Sequence, residues 1–342
     1  MLPLVDGKGW GSLRREARAF PPASSAGGVG ILLRGRLWRA IASGVSGTIR
    51  AMSTLSLRAF WSKVRIFLEA IKFEHTVFAL PFALLSLLYA AEGLPAARVV
   101  GWILVAMVSA RTAAMAFNRL ADRDIDALNP RTRARALPTG LLTPHQMATA
   151  MGVAILVFLY AAWQLNLLCL MLAPVALAVI LGYSYSKRFT PLSHYWLGLS
   201  LGIAPSAVWI AVRGTLELPP VWLTLGVTLW VAGFDILYSL QDEAFDRAHG
   251  LRSLPQTLGA ARAIWVSRLS HALCVALFAI GGVALGAGVW YFVGVACTAL
   301  VLAHEQLLVK PDDLSRLDVA FFTLNGYVSI GLFAFALLDR VL

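Results

Sequence analysis

Residues 98–125 read RVVGWILVAMVSARTAAMAFNRLADRDI. This stretch begins as an apolar run close to the roughly 20 residues that a helix needs to cross a bilayer, and it ends in a row of acids. Of the 342 residues in the chain, 59% are hydrophobic and 14% are charged, whereas soluble domains average about 45–50% apolar and about 25% charged residues. The sequence therefore predicts an all-α, polytopic membrane protein and excludes a soluble globular enzyme.

Apolar runs of similar length divide the rest of the chain. We predict nine transmembrane helices, with boundaries good to a few residues. The predicted spans are 67–91, 98–125, 145–163, 166–185, 193–212, 220–241, 263–285, 288–307 and 317–340. They form a membrane domain over residues 56–342, and residues 1–55 form a basic N-terminal extension.

The N-terminal extension is rich in arginine and poor in acids. It holds eight Lys or Arg residues against two acids, a composition typical of a mitochondrial transit peptide. Two plainer interpretations are a disordered tail and an upstream start codon, with translation truly beginning at Met52. We favour the two plainer interpretations. The expected location is therefore a bacterial cytoplasmic membrane, in preference to the mitochondrial inner membrane.

The basic residues of the loops predict an orientation. With the N-terminus inside, the cytoplasmic loops hold ten Lys or Arg residues and the opposite loops hold three, as the positive-inside rule requires. The cytoplasmic set is Arg131, Arg133, Arg135, Lys187, Arg188, Arg247, Arg252, Arg262, Lys310 and Arg316, and the opposite set is Arg98, Arg213 and Arg340. The net charge of +11 is therefore attributed to these loops and to anionic lipid, not to nucleic-acid binding.

The acids that follow the second span form a helical pattern. Asn118, Asp122 and Asp126 are spaced i, i+4, i+8, so on a continuous helix they share one face. Mg²⁺ takes one or two carboxylates together with phosphate oxygens and water, and a loop with three arginines, the residue type suited to bidentate phosphate contact, follows directly. A diphosphate site is therefore favoured over a solvated helix end where these acids pair with Arg119 and Arg123.

A second acidic stretch repeats this arrangement. Tyr238, Asp242 and Asp246 have the same spacing, and Asp235 lies about two turns before Asp242. Carboxylates at the edge of a bilayer are costly unless they bind something. Two acid-bearing helix ends, each followed by a basic loop on the same side, predict two Mg²⁺ ions that bridge one diphosphate.

The motifs NRLADRDID and DILYSLQDEAFD, with the basic loops after them, resemble the two aspartate-rich motifs of the UbiA superfamily of intramembrane prenyltransferases. IKFEHTVFALPFALL at 71–85 resembles the first helix of that family, and YSYSKRFT at 183–190 resembles its basic loop between helices four and five. The resemblance covers about residues 60–342. Tyr238 and the DEAFD run are similar to the 4-hydroxybenzoate polyprenyltransferase branch, which includes relatives that act on a dihydroxynaphthoate. Arg119 departs from the family pattern, since many members carry Asp there.

The resemblance implies a fold of nine helices around a central cavity. It also implies an activity: the Mg²⁺-dependent transfer of a polyprenyl group from an allylic diphosphate to the ring of an aromatic acid of the 4-hydroxybenzoate type. This reaction belongs to respiratory quinone biosynthesis. Metal binding is expected from Asn118, Asp122, Asp126, Asp242 and Asp246, diphosphate binding from Arg131, Arg135, Lys187 and Arg188, and catalysis from Asp122, Asp242, Asp235 and Tyr238. The ring of Tyr238 can stabilise an allylic cation, and its alternative role is an interface-anchoring tyrosine. The expected partners are the two substrates and the lipid bilayer, with no nucleic-acid or protein partner predicted.

Two further residues are candidates for binding the aromatic substrate. Arg111 lies about two turns before Asn118 inside a span, where a lone cation costs a few kcal/mol. We expect it to bind the substrate carboxylate, and a structural ion pair or a backbone hydrogen-bond network is the alternative. His75, beside Glu74 in the first span, can orient the substrate, although a structural helix histidine is the commoner role.

Three other functions compete with this one. Prenylation of 1,4-dihydroxy-6-naphthoate in menaquinone biosynthesis uses the same chemistry. A cation-coupled membrane transporter also places acids and arginines in membrane helices, but its ion sites usually lie near the midplane on broken helices. CDP-alcohol phosphatidyltransferases use repeated aspartates, but their DGxxAR opening is absent from this sequence.

Overall fold

The computed structural model describes residues 61–71, 78–91 and 93–342. The regular secondary structure of this part of the chain is helical. Residues 61–70 form the described part of α1, and the later helices are α2 (Leu80–Ala90), α3 (Ala97–Ala121), α4 (Arg123–Leu128), α5 (Pro144–Leu165), α6 (Leu167–Ser186), α7 (Ser193–Arg213), α8 (Pro219–Ser239), α9 (Glu243–Ala248), α10 (Leu254–Leu258), α11 (Ala260–Ala284), α12 (Val289–Leu308) and α13 (Asn325–Val341). A 3₁₀ turn, Leu240–Asp242, joins α8 to α9, and a π-helix, Val319–Leu324, leads into α13. The N-terminal extension 1–55 lies outside the described residues.

Eight of the described helices are long and apolar enough to span a membrane. They match the last eight predicted spans, with ends mostly within a few residues of the prediction. At the first predicted span, 67–91, the structure has the shorter apolar helix α2, of 11 residues, and residues 72–77 of that span are not described. The all-α membrane architecture is confirmed, and the predicted count of nine is approximately right.

Residues Ser62–Leu342 form one compact unit, and α8 lies at its centre. Of the most apolar stretch of α8, 61% is buried, compared with 17% for α5. Around α8, an aromatic core that includes Phe82, Trp230 and Phe278 fills the space between α2, α8 and α11. The poorly buried helices expose large apolar side chains such as Trp163, as expected of a surface that faces lipid.

Helices α7 and α8 approach closely because α7 carries glycines where they meet. A Cβ atom at Gly198 would lie 2.2 Å from the Thr228 carbonyl oxygen, and a Cβ atom at Gly202 would lie 2.4 Å from the Thr228 hydroxyl. Small residues let membrane helices bring their backbones together. This contact brings the first half of α7 directly against the middle of α8.

Asp339, near the end of α13, closes the end of the unit that lies opposite the acidic motifs. Its carboxylate accepts hydrogen bonds from the backbone N–H groups of Gly288 (2.8 Å) and Trp290 (3.1 Å) and from the Tyr89 hydroxyl (2.9 Å). A carboxylate at a helix N-terminus satisfies free N–H groups and complements the helix dipole. The contact therefore ties α2, α12 and α13 together.

Candidate functional site

Both acidic motifs break their helix at the middle aspartate. Helix α3 ends at Ala121, and Asp122 (φ −99°, ψ 7°) separates it from the six-residue helix α4. Helix α8 ends at Ser239, and Asp242, with nearly the same angles (φ −99°, ψ 0°), precedes the six-residue helix α9. Each row is therefore interrupted at its middle aspartate, because a residue with ψ near 0° departs from the α-helical path. The backbone N–H groups of Asp122 and Asp126 still donate to the carbonyls of Asn118 and Asp122, so the turn of the helix is kept through the first motif.

The two breaks and the predicted basic loops meet at one cleft. All nine residues predicted to bind metal or diphosphate line it. They are Asn118, Asp122, Asp126, Arg131, Arg135, Lys187, Arg188, Asp242 and Asp246. The two motifs, separated by more than one hundred residues in the sequence, are thus on one side of the unit and in one cavity, as the sequence predicted.

In this cleft each aspartate is paired with a basic side chain. Arg131 binds Asp242 through two hydrogen bonds, of 3.1 and 2.5 Å, so the loop after the first motif reaches the second motif. Arg135 Nη1 lies 2.8 Å from both carboxylate oxygens of Asp126.

The basic loop after α6 supplies the other two cations. Arg188 donates to Asp122 at 3.4 Å and to the backbone oxygen of Ala121, and Lys187 Nζ lies 4.0 Å from Asp246 Oδ2. The Lys187 carbonyl also accepts a hydrogen bond of 2.7 Å from the backbone N–H of Arg252, in the loop after the second motif. Three loops that are distant in sequence are therefore held together around the cleft.

The simple helix-end pairing considered for the first motif is not what forms. Arg119 donates to the backbone oxygen of Ala70 (2.9 Å) and to Asn118 Oδ1 (3.3 Å), and Arg123 pairs with Asp124. Asn118 in turn donates to Asp122 Oδ2 at 2.9 Å. Arg119, the departure from the family pattern, thus joins the end of α1 to the first motif and orients Asn118.

The electrostatics of the first motif favour a bound cation. Burial raises the pKa of the Asp122 carboxyl, and the negative charge of Asp126 raises that pKa further, against the positive charges of Arg188 and Lys187. A nearby cation relieves repulsion between carboxylates. A divalent ion bound beside the motif would therefore stabilise its ionised carboxylates.

The donor set of the cleft fits Mg²⁺ better than a softer metal. The described residues of its lining offer carboxylate oxygens from Asp122, Asp126, Asp242 and Asp246 and no thiolate or imidazole, and Mg²⁺ prefers such hard oxygen ligands. Among the described residues, no three His, Cys, Asp or Glu side chains form a metal cluster. Mg²⁺ usually completes its shell with water and substrate phosphate oxygens, so the set suits a metal that arrives with a diphosphate.

Asn129 and Tyr183 line the cleft and were not assigned from the sequence. Asn129 Oδ1 accepts the backbone N–H of Arg131 at 2.9 Å, and its amide nitrogen lies 3.4 Å from Asp242 Oδ1. It therefore shapes the loop that presents Arg131. The signal for it was present, because Asn before Pro130 is a common way to start a turn.

A second, larger cavity adjoins the cleft between α3, α5, α6 and α7. Its volume is about 410 Å³, compared with about 160 Å³ for the cleft. Its described walls are almost entirely apolar, with Met107, Phe158 and Leu201 among them, and Arg111 is the charged residue among the described residues that line it. Tyr183 lines both spaces. The predicted cavity thus exists, with a polar part and an apolar part that meet at one tyrosine.

The lining of the cleft includes neither Asp235 nor Tyr238. The Tyr238 ring stacks on Phe321 (4.1 Å between centroids) and faces the Arg131 guanidinium at 5.6 Å. Asp235 pairs with the buried His194 at 2.7 Å. His75, the remaining predicted residue, lies outside the described residues.

Comparisons with known proteins agree with this geometry. The model of the UbiA prenyltransferase family matches residues 79–327. The chain is 30% identical over 259 residues to a 4-hydroxybenzoate octaprenyltransferase of Aromatoleum aromaticum, covering 75% of this chain and 86% of that protein. It is 31% identical over 255 residues to the enzyme of the same name from Nitrosomonas europaea, covering 74% and 86%.

Solved structures have the same fold. The apo structure of a UbiA homolog from Aeropyrum pernix K1 is similar with a TM-score of 0.72 and 37% identity, covering 78% of this chain and 98% of that one. A UbiA homolog from Archaeoglobus fulgidus, bound to DMAPP and Mg²⁺, is similar with a TM-score of 0.63 and 18% identity, covering 81% and 99%. At that identity the second likeness shows the fold alone.

Proposed function

The chain belongs to the UbiA prenyltransferase family, and from that premise we propose that it transfers a polyprenyl group from an allylic diphosphate to the ring of 4-hydroxybenzoate, with Mg²⁺, in respiratory quinone biosynthesis. That it is a membrane-embedded prenyltransferase follows from the family and the fold. The names of its relatives support the acceptor. The observation that carries the proposal is the cleft of four paired aspartates that opens on an apolar cavity.

The four ion pairs suggest how the cleft binds Mg²⁺ and the diphosphate. Asp122, Asp126, Asp242 and Asp246 would hold Mg²⁺, with Asn118 beside them. The metal would neutralise negative charge on the diphosphate oxygens and so promote its departure. The basic side chains that pair with the aspartates would then turn to the diphosphate. Because two Mg²⁺ ions and one diphosphate nearly cancel in charge, this exchange needs no large change in the net charge of the cleft.

The apolar cavity provides the place for transfer. Water would capture an allylic cation, and apolar walls exclude it. Arg111 gives the cavity one positive charge, which suits the carboxylate of an aromatic acid. The acid and the diphosphate then approach each other at Tyr183, where the two spaces meet. The Tyr238 ring stacks on Phe321 and faces the guanidinium of Arg131, so any help that it gives the reaction would pass through Arg131, which it would orient toward the diphosphate.

We place the cleft on the cytoplasmic side of a bacterial membrane, because the basic loops that surround it carry the excess of Lys and Arg. Single cysteines in these loops should react with a membrane-impermeant thiol reagent only after cell membranes are opened. Labelling in intact cells would contradict this orientation.

The reaction is tested with membranes that contain the full chain, Mg²⁺, a radiolabelled allylic diphosphate and one aromatic acid at a time. We expect labelled product with 4-hydroxybenzoate, and its loss when EDTA removes the metal. If product forms only with 1,4-dihydroxy-6-naphthoate, the acceptor is that naphthoate and the alternative function in menaquinone biosynthesis is supported. Failure of the wild-type chain to label either acid would refute the proposed reaction and return the transporter to consideration.

A further inference from the structure

Of the four basic side chains in the described lining of the cleft, two lie over tyrosine rings. The Arg131 guanidinium lies over the ring of Tyr238, 5.6 Å from its centroid. The Arg188 guanidinium lies over the ring of Tyr185 at 4.7 Å. Both distances are within the roughly 6 Å at which a cation is attracted to an aromatic face. These two arginines are the ones that pair with the middle aspartates of the two motifs.

Each tyrosine ring is itself packed against a phenylalanine from another helix. Tyr238 stacks on Phe321, with 4.1 Å between the ring centroids and 29° between the ring planes. Tyr185 meets Phe117 of α3 edge to face, with 5.6 Å between the centroids. Offset-stacked and edge-to-face arrangements are the favourable ones for aromatic pairs. A second ring therefore helps to hold each tyrosine in place.

The backbone at Phe321 is also fixed. Phe321 lies in the π-helix that leads into α13, and the buried side-chain amide of Asn325 donates to the carbonyl oxygens of Ala320 (3.0 Å) and Phe321 (3.2 Å). The amide oxygen of Asn325 accepts the indole N–H of the fully buried Trp230 at 2.7 Å. Buried polar groups whose hydrogen bonds are satisfied rigidify the structure around them. Phe321 is therefore a rigid support for the Tyr238 ring.

The exchange of partners in the cleft makes such supports useful. If a metal takes Asp242 or Asp122, the arginine that held the carboxylate loses a charged partner before it gains the diphosphate. An arginine side chain released into water gains rotamer entropy, which is lost again when the side chain binds a phosphate. A neutral ring reduces this loss, because it attracts the guanidinium without competing for the metal or for the diphosphate.

We propose that Tyr238 and Tyr185 are positioning residues for diphosphate binding. Each ring holds its arginine, Arg131 or Arg188, in the cleft while that arginine passes from an aspartate to the diphosphate. This inference rests on the proposed function. Neither tyrosine is among the described residues that line the cleft or the apolar cavity, so each acts through its arginine and not on the reacting carbon.

Replacement of each ring tests this role. Tyr238→Leu and Tyr185→Leu should each lower kcat/KM for the allylic diphosphate about 2- to 30-fold, the range that cation–π attraction covers from exposed to desolvated sites, with the KM for the aromatic acid unchanged. Tyr238→Phe and Tyr185→Phe keep a ring and should restore most of kcat/KM. Tyr238→Met, which is apolar and adaptable in shape, replaces the leucine variant if that variant fails to fold.

Double variants test whether each ring acts through its own arginine. In the Arg131→Gln background, Tyr238→Leu should cause no further loss of kcat/KM, whereas Tyr185→Leu should still cause most of its loss because it acts on the other arginine. The Arg188→Gln background should give the reverse result. A Tyr238 ring that stabilised the allylic cation directly would still lower kcat/KM when removed from the Arg131→Gln protein.

Trp265→Leu is the matched control. Trp265 of α11 makes the same kind of contact, with the Arg268 guanidinium 4.9 Å from its ring centroid, and both residues are outside the described lining of the cleft and of the apolar cavity. We expect this variant to keep the wild-type kcat/KM. Binding of inorganic diphosphate in the presence of Mg²⁺, measured by calorimetry without turnover, should weaken in the two leucine variants at the tyrosines and stay unchanged in the control.

Three results would overturn the inference: wild-type kcat/KM in a folded leucine variant, phenylalanine variants as slow as the leucine variants, or a full further loss from Tyr238→Leu in the Arg131→Gln protein. The proposed function would fail differently, through a wild-type chain that labels no aromatic acid. Calorimetry with inorganic diphosphate would still test the tyrosines in that case, since it needs no acceptor. The two failures are therefore distinguishable.

Discussion

Substitution of Arg131 tests how the cleft binds metal and diphosphate, because this residue joins the two motifs. Its guanidinium makes two hydrogen bonds to Asp242, and 37% of the Arg131 side chain and 10% of the Asp242 side chain are exposed. Because the Asp242 carboxylate is buried, loss of its cation should lower the melting temperature, and Arg131→Gln is chosen because its amide can still donate one hydrogen bond to Asp242. If the same fork binds the diphosphate, its loss removes about 1.5–3 kcal/mol of charge-assisted contact. This predicts a fall of about 10- to 100-fold in kcat/KM for the allylic diphosphate.

Metal binding should respond to Arg131→Gln in the opposite direction. In the free protein Arg131 competes with a cation for Asp242, so without it Mn²⁺, used as a spectroscopic substitute for Mg²⁺, should bind the substrate-free protein at least as tightly as it binds wild type. Arg133, on the same loop and outside the lining of the cleft, supplies the control, and Arg133→Gln should change neither quantity. The reasoning is refuted if Arg131→Gln keeps wild-type kcat/KM, or if it weakens Mn²⁺ binding in the absence of diphosphate.

Three other perturbations test separate parts of the structure. Asp122→Ala and Asp242→Ala should each lower turnover by about 10²–10³-fold or more in a protein that still inserts and folds, and activity retained by either one would remove its metal assignment. Arg111→Ala should raise the KM for the aromatic acid about 10- to 100-fold while the KM for the diphosphate stays constant; an unchanged acid KM would leave Arg111 a structural role. Gly198→Ala should destabilise the α7–α8 contact by about 1–3 kcal/mol, seen as a lower melting temperature in detergent, because its new methyl group would meet the Thr228 carbonyl; an unchanged melting temperature would show that the helices separate freely.

The cleft couples binding of the metal to binding of the diphosphate. Four aspartates and four basic side chains pair with one another around the cleft, so a metal that binds an aspartate competes with a cation, and a diphosphate that binds a cation competes with a carboxylate. Each ligand therefore frees the partner that the other needs. We expect metal and diphosphate to bind cooperatively, as reciprocal linkage requires.

Much of the fold and of the candidate site could be predicted from the sequence alone. The length and apolarity of the spans, the excess of basic residues in alternate loops and the two acidic motifs are local properties, so they predicted most of the helices and nine of the residues that line the cleft. Spacing within the motifs was less informative. It predicted two straight rows, whereas Asp122 and Asp242 break their helices at matching angles, because a break depends on the surrounding packing as well as on local sequence.

The sequence by itself thus determined a membrane protein with its acidic motifs at the helix ends, since crossing a bilayer imposes an apolar composition in which such acids stand out. The resemblance of its two motifs to those of the UbiA superfamily indicated a prenyltransferase. Only the tertiary structure decided which cation holds which aspartate, that Arg131 crosses to Asp242, and that His194 pairs with Asp235. Those partners lie 111 and 41 residues apart. Whether such residues come into contact depends on how closely their helices pack, as the glycines of α7 illustrate. The distance between two helices is set by both of their surfaces together, so neither sequence segment predicts it alone.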